Sequence, residues 1–72
     1  MEIGAKVTVI KALIPPVDPL VGKEGVVVGT VMEYVGVDLS EPVPEQVRAR
    51  GLNPEYEDTV ALLERKELEV VR

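Results

Sequence analysis

The chain has 72 residues, with 13 acidic side chains against 8 basic ones, no His, no Cys and two aromatic residues, both Tyr. This admits one small domain with a thin core. It excludes disulfides, thiol catalysis, Cys or His metal ligation and His-based acid–base chemistry.

The opening residues MEIGAKVTVI carry Glu2 and Lys6 and no continuous apolar run. No secretory signal or membrane helix is therefore expected, and the protein reads as soluble and cytoplasmic, or as part of a virion if its source is viral. The first predicted strand lies in Ala5 to Leu13, where Val7 and Val9 alternate with Lys6 and Thr8. It stops at Pro15-Pro16. Ile14 to Gly22 holds three prolines in nine residues and reads as a stiff extended connection, not a helix. Gly22 and Gly25 flank Lys23-Glu24, a turn signal.

The second strand spans Gly25 to Met32 (GVVVGTVM). Val27 and Val31 share a face with Gly29 between them, and Gly29 marks a bulge or sharp bend. Val26 and Val28 face the other way, so part of this strand is expected to be buried on both sides. Glu33-Tyr34 turns the chain into a third strand, Tyr34 to Leu39. Thr59 to Leu63 and Leu68 to Val71 give the fourth and fifth, joined by a charged 3₁₀ turn, Glu64 to Glu67.

Ser40 to Asp58 breaks the two-residue period for 19 residues. A helix of about two turns is predicted within it, with Pro44 at the first position, Glu45 in the first turn, Arg48 and Arg50 near the end and Gly51 as the stop. Val43, Val47 and Leu52 would pin it. From Asp38 to Asp58 there are six acidic residues and two arginines, so the acidity concentrates here.

The order of these signals resembles the SH3-like barrels around the KOW motif and the similar barrels of photosystem I subunit IV. The matching residues are Gly4, Lys6, Val7 and Val9; then Gly22, Gly25 and Val27; then Val35 and Val37; then Leu68, Val70 and Val71. They span about residues 3–39 and 59–71. The resemblance implies one all-β domain over residues 1–72, a five-stranded SH3-like barrel with an acidic insertion, 40–58, between strands three and four. KOW domains are usually basic and peptide-binding SH3 grooves are aromatic. This chain is neither, so those functions do not carry over with the fold.

Chemistry is thinly supplied. Glu55, Glu57 and Asp58, and Glu64, Glu67 and Glu69, are carboxylate clusters without a partner base; they read as solvated acidic faces, and no catalytic residue is assigned. The EF-hand spacing is absent, so no metal or cofactor is expected. Glu24 opposes an anion at the Gly22–Gly25 turn. Lys6, Lys11 and Lys23 could share one side of the barrel, which keeps a KOW-type module binding nucleic acid, or a transcription or translation complex, as the alternative reading. The first expectation is a non-enzymatic protein–protein module: an accessory or regulatory subunit, or a joining protein in an assembly. Val26, Val28 and Ile10 exceed what a small barrel buries, so another protein or a second copy would cover them. Tyr34, Tyr56, Arg48 and Arg50 are the expected contact residues. No membrane or small-molecule substrate is expected. One Asn (Asn53), one Gln (Gln46) and no Cys match the sparing use of thermolabile residues in thermophilic proteins.

Overall fold

The valine alternation becomes five strands in the computed structural model, which describes residues 1–48 and 56–71: β1 (Lys6–Val9), β2 (Glu24–Val31), β3 (Tyr34–Asp38), β4 (Val60–Glu64) and β5 (Leu68–Val70). All neighbouring strands pair antiparallel, in the order β4-β3-β2-β1-β5. The expected SH3-like barrel, and with it the KOW and photosystem-type resemblance, is overturned here. β4 and β5 are the two outer strands, no ladder joins them, and the sheet is open.

β4 and β5 are joined by a short link. Glu64 enters the 3₁₀ turn Arg65–Glu67 in an extended conformation and Leu68 leaves it extended, while Glu64 and Glu67 form a capping box. Such a turn carries the chain from one edge of the sheet to the other. It does not fold β5 back on β4 as a two-residue hairpin would.

One face of the sheet carries the core. Val7, Val9, Val27, Val35, Val37, Ala61, Leu63 and Leu68 are buried there in a single cluster, each large side chain contributing about 1.5–3 kcal/mol when fully buried. The cover comes from two short elements. Pro15–Leu20 is a 3₁₀ helix that sends Val17 and Leu20 into the cluster. This corrects the stiff, non-helical connection expected there: a proline ring fixes φ near −65°, which serves a 3₁₀ turn as well as an extended segment, and prolines at the helix start lose no hydrogen bond. The second element, α1 (Glu45–Arg48), follows Pro44 and buries Val47, with Val43 buried just before it. It packs on β4 and on the 3₁₀ helix. Arg50, Gly51, Leu52, Asn53 and Glu55 lie outside the described residues.

β2 departs from strict alternation. Val27 pairs with Val37 but Gly29 pairs with Gly36, so Val28 is the extra residue of a bulge. The shift moves Val31 opposite Tyr34, onto the face away from the core, so it does not share the face of Val27. Nor is β2 buried on both sides: Val26 is 42% exposed and Val28 half-buried.

Candidate protein-interaction surface

The outer face of the sheet is built from the alternate residues of each strand, and its two halves differ. On the β3–β4 side, Val60 and Leu62 are buried although they do not belong to the core cluster. Here Tyr56 lies over the cross-strand pair Gly29 and Gly36. A Cβ on Gly36 would stand 3.0 Å from Tyr56 Cε2 and 3.4 Å from Cζ, so the ring occupies the space two missing side chains leave. Leu62 pairs with Gly36 from the other strand, beside that ring.

On the β1–β5 side the face is bare. Lys6 pairs with Val26, and Thr8 pairs with both Glu24 and Glu69. Ile10, Val26 and Val71 are exposed on it. Thr8, Ile10, Glu24, Glu69, Val70 and Val71 line an open cleft of about 420 Å³. Thr8 and its two cross-strand neighbours, Glu24 and Glu69, form a polar row across it, flanked by Ile10 on one side and Val71 on the other.

A second, smaller cleft of about 320 Å³ sits at the tip of the β2–β3 hairpin, lined by Thr30, Met32, Glu33, Tyr34, Val35 and Arg65. Met32 is 80% exposed and has a left-handed backbone, φ 57°.

The four expected contact residues separate. Tyr34 lines the hairpin cleft and is half-buried. Tyr56 is half-buried as the cover of the glycine pair, a packing role the sequence reading did not assign. Arg48 ends α1, and its Nε is buried with no hydrogen-bond partner among the described residues. Arg50 lies outside them. The bare β1–β5 face includes none of Tyr34, Tyr56 and Arg48. Ile10 and Val26, read from the sequence as surplus apolar residues, are the ones that mark it.

The acidic clusters also divide. Glu67 is no part of a solvated face: it is 0% exposed. Its Oε2 accepts the Leu13 N–H and its Oε1 the Glu64 N–H, both at 2.9 Å. Among the described residues no three Asp or Glu side chains come together as a metal site. Of the lysines considered for nucleic acid, Lys6 stands 3.9 Å from Glu24, and Lys23 lies 2.7 Å from Glu41. Comparison of the chain with family models, curated proteins and solved structures gives no match.

Proposed function

We propose that this chain is a non-enzymatic protein-interaction module, a small accessory subunit or joining protein of a larger assembly, and that it docks through the outer face of β1, β2 and β5. The observation that carries this reading is the contrast between the two halves of one sheet face. Tyr56 seals one half with its own chain; the other leaves Ile10, Val26 and Val71 in solvent, with Ile10 and Val71 lining an open cleft. Exposed apolar side chains interleaved with polar ones suit a protein contact. Nucleic acid suits it poorly, because Glu24 and Glu69 line the cleft and carboxylates repel phosphate.

The test is retention of partners from the native source on immobilised wild-type chain and on Ile10→Lys and Val26→Asp variants, with proteins identified by mass spectrometry. Proteins held by the wild type and lost from both variants are the expected outcome. A retained set that neither substitution changes removes this face from consideration. Absence of any partner, together with absence of self-association, removes the interaction reading itself.

A further inference from the structure

The two edges of the sheet are not equivalent. β4 is an outer strand by hydrogen bonding, yet Val60, Ala61, Leu62 and Leu63 are all buried and α1 packs on it. Among the described residues no helix packs on the β5 edge, and Glu69 and Val70 are exposed.

The direction of the β5 backbone follows from its ladder to β1. Ile10 N–H donates to the Glu67 carbonyl at 2.7 Å, and Val71 N–H donates to the Lys6 carbonyl at 2.8 Å. With Thr8 opposite Glu69, the amides of Glu69 and Val71 therefore turn toward β1, while the Glu67 N–H is taken by the Glu64 side chain in the capping box. The Leu68 N–H donates to the Arg65 carbonyl, so Val70 alone keeps an outward amide, and no described strand pairs with it. The side chain of Val70 adds a second sign. Val70 pairs with Val7, so it stands on the core face of the sheet, and Val7 is fully buried. Val70 is nonetheless 41% exposed, because its row of the core ends in open solvent.

We propose that the β5 edge pairs antiparallel with the β5 edge of a second copy, across a two-fold axis at Val70. This rests on the interaction reading above and names its partner. The occupant follows from complementarity. An extended strand is what an open edge accepts, and a two-fold pairing satisfies the same edge on both copies at once. The register follows from charge and amide direction. Centring the axis on Glu69 would set Glu69 against its own copy, two like charges facing each other. Centring it on Val70 uses the outward N–H and C=O of both valines, places Glu69 across from the copy's Val71, and covers each Val70 with the other. The contact is short, so the dimer is weak and concentration-dependent. Each copy carries a net charge of −5, so salt tightens the pairing by screening repulsion.

Sedimentation velocity over a dilution series, at low and high salt, tests this on wild type, Val70→Pro, Val70→Lys and Ile10→Lys. Proline at position 70 removes an outward N–H and leaves the β1–β5 ladder intact. The expected result is a wild-type dimer that strengthens with salt and is lost in both Val70 variants, with sheet content unchanged by circular dichroism. Should Val70→Pro fail to fold, Val70→Lys decides the matter. Wild type that stays monomeric at every concentration overturns the self-pairing, as does a dimer that survives both Val70 changes. A monomeric wild type that still retains other proteins, and loses them in Ile10→Lys, refutes only the second copy as partner; a monomer that retains nothing refutes the interaction reading as well.

Discussion

Glu67 holds Leu13 in place across 54 residues of sequence: its Oε2 accepts the Leu13 N–H at 2.9 Å, while Oε1 of the same carboxylate accepts the N–H of Glu64. One buried side chain thus ties the segment leading into the 3₁₀ helix to the turn between β4 and β5. Replacing it by Ala leaves two backbone donors without their acceptor, at about 1–3 kcal/mol for each one that stays buried. A domain of this size has a total stability of about 4–11 kcal/mol. Glu67→Ala is therefore expected to lower the urea midpoint sharply. Glu67→Gln is expected to fall between it and wild type, because one amide oxygen replaces two carboxylate oxygens and the amide nitrogen meets a donor. Equal midpoints for the three proteins would refute the tie.

Glycine has two distinct roles in β2, and substitution separates them. A Cβ at Gly25 would stand 2.6 Å from the Asp38 carbonyl oxygen and 2.6 Å from Val37 Cγ1, atoms that cannot retreat without moving β3. At Gly29 the obstacle is the end of the Tyr56 side chain, which can swing away. Gly25→Ala is expected to destabilise by about 2–4 kcal/mol, beyond the usual cost of overpacking. Gly29→Ala is expected to cost about 1 kcal/mol and to release Tyr56. Thermal denaturation ranks the two, and tyrosine fluorescence reports the release.

Met32 turns the β2–β3 hairpin with φ 57°, a region that costs an L-residue about 1–2 kcal/mol. It is 80% exposed, so its side chain offsets little of this. Met32→Gly is expected to raise the melting temperature by about 2–6 °C, since about 1 kcal/mol moves a domain of this size by 4–8 °C and glycine's extra chain entropy takes back part of the gain. A lower melting temperature would show that the Met32 side chain holds the hairpin tip through contacts in the Tyr34–Arg65 cleft.

Lys6 and Lys23 each face a carboxylate, Glu24 and Glu41. The wild-type chain is accordingly expected to pass a heparin column at low salt without delay. The double variant Glu24→Gln, Glu41→Gln frees both cations and is expected to be retained in a salt-sensitive manner. Wild-type retention would reopen the nucleic-acid reading.

The strands were legible because valine at every second position has few other solutions, and the bulge was legible because Gly29 interrupts that pattern. Closure was not legible. Periodicity tells which residues make ladders but not whether the two outer strands pair, and the charged residues of the turn between them, Arg65–Glu67, resemble an ordinary solvated link. Glu67 was missed for the same reason, since a carboxylate in a charged run gives no sign that two amides will surround it. The role of Tyr56 depends on a glycine pair formed only when β2 and β3 align, a relation between three distant positions. The bare face was partly visible, because Ile10 and Val26 are apolar where the alternation calls for polar residues.

The pairing of Val7 with Val70 has a kinetic consequence. β1 finds one neighbour close by, in β2, and the other almost a full chain length away. Bringing the distant strand home loses loop entropy before any contact rewards it. The β2–β3–β4 meander is therefore expected to assemble early. β1 to β5 is expected to zip last and to open first, giving the amides of Ile10 and Val71 faster hydrogen exchange than those of Val35 and Val37.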